Sequence, residues 1–226
     1  MCFSASASFI ASGVTGAGGL ACLKSTRRKS EIPLASIPFL FAIQQFIEGL
    51  IWIYYPGSGV ADILTPLYSF FSHVLWPLFI PIAIYLVEPS GRRKKLLLSF
   101  MILGISVSIF LFYFIIQNPA EVSVAENHLR YSYGYLENAR ISVLLYLTVV
   151  SISPLFSSHR ILKVFGVLLF FSFLVAFQSY NPSFFSIWCF FAAGLSLLIY
   201  LHFKYRHRLT LHDYIEKLDR TLHDRF

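Results

Sequence analysis

Apolar runs of about 20 residues recur along almost the whole chain, and short polar segments separate them. A helix that crosses the hydrocarbon core of a bilayer needs about 20 predominantly apolar residues. The pattern therefore predicts seven transmembrane helices, over residues 4–23, 33–54, 62–87, 96–117, 139–156, 161–180 and 183–204. Turn-forming residues lie in the breaks, for example at Pro56-Gly57 and Asn181-Pro182.

The composition is also that of a membrane protein. The chain is 57% hydrophobic and only 13% charged, whereas about 25% of residues are charged in a typical soluble domain. We therefore expect an all-α integral membrane bundle, formed by residues 1–205. Residues 206–226 carry apolar residues at helical spacing between basic ones, which predicts a cytoplasmic amphipathic tail helix.

The distribution of basic residues predicts the orientation of the bundle. All but two of the 18 Lys and Arg residues lie in alternate breaks or in the tail. Because basic loops are retained in the cytoplasm, we expect an N-terminus outside and a C-terminus inside, in a bacterial inner membrane. The net charge of +7 then indicates topology and contact with anionic membrane lipids, not nucleic-acid binding. Assembly of several copies of the chain is left open.

The first predicted helix is rich in small residues. Ser8, Ser12 and Gly16 are spaced by four, which lets a neighbouring backbone approach closely. This spacing predicts that the helix lies in the middle of the bundle.

Two ionisable residues are predicted to lie inside the membrane, Glu48 on the second helix and His73 on the third. A charged residue at the centre of a membrane helix costs about 2.5 to 3.5 kcal/mol on insertion scales, so such a residue is often functional. Counting from the helix ends places both at a similar depth. Pro77 lacks the N–H that the carbonyl of His73 would use, which predicts a kink beside the imidazole. We take Glu48 and His73 as the candidate catalytic residues.

Polar and aromatic side chains at helical spacing are predicted to surround this pair in an outward-facing pocket. The pocket would be built on helices one, two, three and seven and would bind a lipid or a small amphiphile. Its predicted lining residues are Gln44, Gln45, Trp52, Ser69, Trp76, Trp188 and Cys189.

Cys2, Glu48, His73 and His128 are residue types that bind zinc, with a fourth position left for water in a catalytic site. They predict a metal-dependent membrane hydrolase that uses zinc or another divalent transition metal. No metal-binding spacing such as HExxH accompanies them. Two alternatives therefore stay open, a Glu48–His73 pair that fastens two helices and a non-enzymatic ligand-binding, transport or sensor protein without a cofactor. Whether the protein is an enzyme is undecided by the sequence.

Four runs of the sequence resemble an uncharacterised family of bacterial multi-pass membrane proteins. They are the opening MCFSASASF, QQFIEGLIW from Gln44, SHVLWP from Ser72 and WCFFAA from Trp188. The resemblance extends over nearly the full length and implies a multi-pass fold without implying a reaction.

Seven-helix zinc hydrolases of the alkaline ceramidase and adiponectin-receptor type have the same helix count and an outside N-terminus. They carry two histidines spaced by four on the last helix, whereas His202 and His207 are spaced by five. This likeness is therefore one of architecture alone.

Overall fold

The computed structural model describes residues 4–125, 128–133, 140–179 and 183–223, with side chains described up to Tyr205. Two short 3-10 turns, Lys29–Glu31 and Ser153–Phe156, and two π-helical turns, Phe70–Leu75 and Thr148–Ile152, adjoin the α-helices. The α-helices are α1 Ala5–Lys24, α2 Ile32–Tyr54, α3 Gly59–Ser69, α4 Trp76–Val87, α5 Arg92–Gln117, α6 Arg140–Leu147, α7 Arg160–Ser179 and α8 Phe184–His223.

Six helical stretches in the described residues are long and apolar enough to cross a membrane. They are Ala5–Lys24, Lys29–Tyr54, Gly59–Val87, Arg92–Gln117, Arg160–Ser179 and Phe184–Tyr205. They coincide with six of the seven predicted spans. The remaining one, predicted over 139–156, corresponds to a shorter apolar stretch, Ile141–Phe156. The chain thus has the helices of a multi-pass membrane protein.

The centre of the bundle is formed by α2 and by the α3–α4 segment. In an apolar 18-residue stretch of each, 67% and 61% of the residues are buried. The corresponding fractions are 22% for α1 and 28% for α5. The prediction that the first helix lies in the middle is therefore wrong. One face of α1 is exposed, at Ile10, Val14 and Leu20.

The small residues of α1 instead pack closely against one neighbour, α2. A Cβ atom at Gly19 would lie 2.5 Å from the backbone nitrogen of Phe39, and the Ser12 hydroxyl donates a hydrogen bond to the carbonyl of Ala42 at 2.8 Å. Small side chains permit such an approach along one face, but they do not require neighbours on the other faces.

A β-hairpin lies between α5 and α6, where the all-α prediction has a loop. Strand β1, Glu121–Ala125, pairs antiparallel with β2, His128–Ser132. Leu129, Tyr131 and Tyr133 are buried and alternate with half-buried residues, as the two-residue period of a strand requires. The alternation is present in the sequence, but it is short and lies between long apolar helical runs.

Two acids besides Glu48 are buried, and both lie at helix ends. Glu31 is 2% exposed and Glu88 is 3% exposed. The carboxylate of Glu88 accepts hydrogen bonds from the Ser157 hydroxyl at 2.9 Å and from the backbone N–H of Ser158 at 2.9 Å. Glu31 accepts from the backbone N–H of Arg27. Both acids thus hold loops against the bundle.

The last helix does not end at the membrane. The backbone of α8 continues from Phe184 to His223, whereas its membrane-length apolar part ends at Tyr205. The predicted tail therefore begins as a helical continuation of the last span.

Candidate functional site

Polar side chains gather in the middle of the bundle, where α2, the α3–α4 segment and α8 meet. We call this set the polar layer, and each member has an exposed fraction of 0%. Its members are Gln44, Gln45, Glu48, Ser69, Ser72, His73 and Ser186.

Glu48 is held by one residue of its own helix and one of α8. Its carboxylate accepts a hydrogen bond from the Ser186 hydroxyl at 2.7 Å and from the Gln45 amide nitrogen at 3.3 Å. Ser186 lies in the first turn of α8, where the partial positive charge of a helix N-terminus attracts an anion. Sequence reasoning missed Ser186, because a serine in an apolar helix carries no distinguishing signal.

His73 lies in the π turn between α3 and α4, with its ring between two aromatic rings. Its Nδ1 is 2.7 Å from the Ser72 hydroxyl, and the rings of Tyr133 and Phe185 lie 4.3 Å away by centroid. Phe185 directly precedes Ser186, so consecutive residues of α8 contact the His73 ring and the Glu48 carboxylate. The structure thus brings the two predicted residues to one level through α8.

Aromatic residues lie about one helical turn from the polar layer, at Trp76 on α4 and Phe41 on α2. The Trp76 indole N–H donates to the side-chain oxygen of Gln44 at 2.7 Å, and its ring stacks on Phe41 at 3.8 Å. Cys189 is buried at this level as well. A small cavity follows, with room for about one water molecule. It is lined by Phe41, Trp76, Ile80, Tyr146, Val150, Leu169, Trp188, Cys189 and Ala192.

The hairpin covers the polar layer on the side where β2 meets α3. The Tyr133 hydroxyl is 2.9 Å from the Ser69 hydroxyl, and Tyr131 stacks on Tyr68 with ring centroids 4.4 Å apart. The predicted outward-facing pocket is therefore closed in this structure, which agrees with the complete burial of Glu48 and His73.

Four buried polar atoms of the predicted site residues have no hydrogen-bond partner in the part of the chain that the structure describes. They are Nε2 of His73, the side-chain oxygen of Gln45, the side-chain nitrogen of Gln44 and the indole nitrogen of Trp52. An unsatisfied buried polar group costs about 1–3 kcal/mol. These atoms are therefore the places at which a ligand atom would form new hydrogen bonds.

The predicted metal ligands are brought together only in part. Cys2 lies outside the described residues. His128 pairs with Ala125 in the hairpin and precedes Tyr133 by five residues, which is about 16 Å along a strand. In the described part of the chain, no three His, Cys, Asp or Glu side chains lie close enough to hold a metal ion.

Residues 1–213 match a family of unknown function, DUF6629, and the chain belongs to that family. The match spans every element from α1 through most of α8. No curated protein and no solved structure matches the chain. The fold and the polar layer are therefore the grounds for a function.

Proposed function

We propose that this chain is a non-enzymatic membrane protein that binds a small amphiphile in the polar layer. The observation that carries the proposal is the pair of unpartnered buried atoms, His73 Nε2 and the Gln45 side-chain oxygen, at the level of Glu48. Ionisable residues inside a membrane bundle are rare and mark ligand or ion sites by default.

The chemistry of these atoms selects a ligand head that donates hydrogen bonds. The Glu48 carboxylate and the Gln45 oxygen are acceptors. When the Nδ1–H of His73 donates to Ser72, its Nε2 is an acceptor as well. An amine can donate to the two unpartnered acceptors, His73 Nε2 and the Gln45 oxygen, and its positive charge is attracted by the Glu48 carboxylate. The neighbouring rings of Trp76 and Trp188 favour the alkyl part and also attract a cation.

Binding requires the hairpin to move, because the cavity beyond the polar layer holds about one water molecule. Tyr131 and Tyr133 are the side chains that close the layer. A two-stranded hairpin is marginally stable by itself, so its displacement costs little beyond these two contacts.

The test uses octylamine as the probe, with octanoate as an acceptor-headed compound of equal length. The chain has three tryptophans, Trp52, Trp76 and Trp188, and all are predicted pocket residues, so their fluorescence reports on the site. In lipid nanodiscs, we expect octylamine to cause a saturable change in tryptophan fluorescence and octanoate to cause none. Glu48→Gln should weaken octylamine binding about tenfold, the equivalent of about 1.4 kcal/mol.

The matched control is Glu121→Gln, which makes the same change at an exposed position on β1 and should bind octylamine like the unaltered protein. An equal response to both probes, unchanged in Glu48→Gln, would show partition into lipid and would contradict the proposal.

A metal-dependent hydrolase, the reading that the sequence suggested first, remains a separate proposal. It requires Cys2 to join Glu48 and His73, since His128 lies at the far end of the hairpin. Elemental analysis of protein purified without chelator tests it. About one zinc per chain, lost in both Cys2→Ser and His73→Ala, would support it, and no bound metal would contradict it.

We also propose that the bundle crosses a bacterial inner membrane seven times with its N-terminus outside. The short stretch Ile141–Phe156 supports the seventh crossing. Tyr146 hydrogen-bonds Ser72 in the middle of the bundle, whereas Ser157 bonds Glu88 at the end where α4 stops. The test labels single cysteines placed at Ser58 and Ser90 in intact cells, in a chain whose three native cysteines are replaced by serine. We expect an impermeant thiol reagent to react at Ser58→Cys only.

A further inference from the structure

The π turn that carries His73 ends at Leu75, two residues before Pro77. In an α-helix each carbonyl bonds the N–H four residues later, and in a π turn the N–H five residues later. Because Pro77 has no N–H, the carbonyl of Ser72 loses its π-turn partner. The sequence had assigned this loss to the carbonyl of His73, which holds only for a regular α-helix.

Hydroxyl groups from two other helices donate hydrogen bonds to backbone carbonyls of this turn. The Tyr146 hydroxyl of α6 donates to the carbonyl of Ser72 at 2.6 Å. The Ser108 hydroxyl of α5 donates to the carbonyl of Val74 at 2.9 Å. Tyr146 and Ser72 are both buried, so no water competes for this bond.

Ser72 joins this backbone contact to the imidazole. Its carbonyl accepts from Tyr146, and its hydroxyl lies 2.7 Å from Nδ1 of His73. We propose that Tyr146 is a positioning residue, whose hydroxyl replaces the N–H that Pro77 lacks and thereby orients His73 through Ser72. The proposal rests on the proposed function only in treating His73 as a ligand-binding group.

The orientation of the His73 ring depends on this contact because the same segment could form a regular α-helical turn. A π turn is an α-helix with one extra residue, and its return to α geometry turns the flanking residues by about 100° relative to each other. Trp76 is tied to Gln44 on one side of the turn and Ser69 to Tyr133 on the other. The Tyr146 bond keeps both contacts compatible with the placement of His73.

The test is a double-mutant cycle of Tyr146→Phe and Pro77→Ala. Tyr146→Phe keeps the ring and removes the hydroxyl, and Pro77→Ala supplies the missing backbone N–H. The readout is the imidazole ¹⁵N signal of His73 in nanodiscs, assigned by its loss in His73→Phe. We expect Tyr146→Phe to shift this signal and to lower the ratio of folded to unfolded protein about tenfold, as loss of a buried partner does.

In the Pro77→Ala background, the same Tyr146→Phe change should have less than half of each effect. Tyr113→Phe, at a side chain that is 59% exposed, is the control and should leave the His73 signal unchanged. If Tyr146→Phe alone fails to fold, the double variant should recover folding.

An unshifted His73 signal in Tyr146→Phe, additive effects in the cycle, or a double variant that stays unfolded would overturn the proposal. Octylamine binding separates it from the proposed function. A coupled cycle in a protein that does not bind octylamine supports the positioning role and contradicts the ligand site alone.

Discussion

Two buried acids of this bundle, Glu88 and Glu48, each accept two hydrogen bonds but differ in the polar groups around them. Around Glu88, the Ser157 hydroxyl and the Ser158 N–H both donate to the carboxylate, so the contact holds a loop. Around Glu48, the neighbouring His73 and Gln45 keep polar atoms without partners in the described structure. Burial of an ionisable group therefore does not by itself indicate a ligand site. Unsatisfied hydrogen-bonding atoms beside it do.

The largest effect on stability is expected at Glu88. Glu88→Ala leaves the Ser157 hydroxyl and the Ser158 N–H without their acceptor, and hydrogen bonds to charged groups contribute about 1.5–3 kcal/mol each. We expect a loss of about 3 kcal/mol in the free energy of unfolding, measured by SDS titration. Glu88→Gln keeps one acceptor oxygen and should lose less than half as much. Equal losses in both variants would mean that packing, and not hydrogen bonding, stabilises this loop.

An intermediate effect is expected from a pair of tryptophans near the polar layer. Trp76→Phe removes the donor to Gln44 and leaves a small void, for a cost of about 2 kcal/mol. Trp52→Phe is the matched change at an indole N–H without a partner in the described structure, and should cost less than about 0.5 kcal/mol. Thermal unfolding of the two variants in the same detergent compares them. Equal costs would show that hydrogen bonding does not distinguish the two rings.

Among Glu88, Trp76 and His73, the smallest effect on stability is expected at His73. His73→Phe loses the contact with Ser72 but also removes an unsatisfied buried nitrogen, and the new ring fits between Tyr133 and Phe185. The free energy of unfolding should change by less than about 1 kcal/mol. Octylamine binding should be lost in the same variant. A loss above about 2 kcal/mol would place His73 with Glu88 as a structural contact.

The candidate pair was predictable from sequence because ionisable residues interrupt apolar helices. Glu48 and His73 are visible as exceptions, and counting along the helices placed them at a similar depth. Ser186 and Tyr146 were not predictable, since serine and tyrosine are ordinary residues of membrane helices. Their roles depend on a contact with a helix that is distant in sequence.

The packing of the first helix was also only partly predictable from the sequence. Its small residues correctly indicated a close approach, which Gly19 makes against Phe39. They did not indicate how many neighbours the helix has, because one small face needs only one partner. The hairpin was missed for a different reason, since the alternation at Leu129, Tyr131 and Tyr133 is short and lies between long helical patterns.

The sequence by itself determined which helices are long and apolar enough to span a membrane, because a run of about 20 apolar residues is a local property of each segment. It also identified Glu48 and His73, because a charge in an apolar run is costly wherever the run packs. Only the tertiary structure decided that α8 connects the pair, that the hairpin closes the layer and that Tyr146 serves the carbonyl left by Pro77. These features are hydrogen bonds and ring contacts between distant segments, and they exist only once the helices have packed.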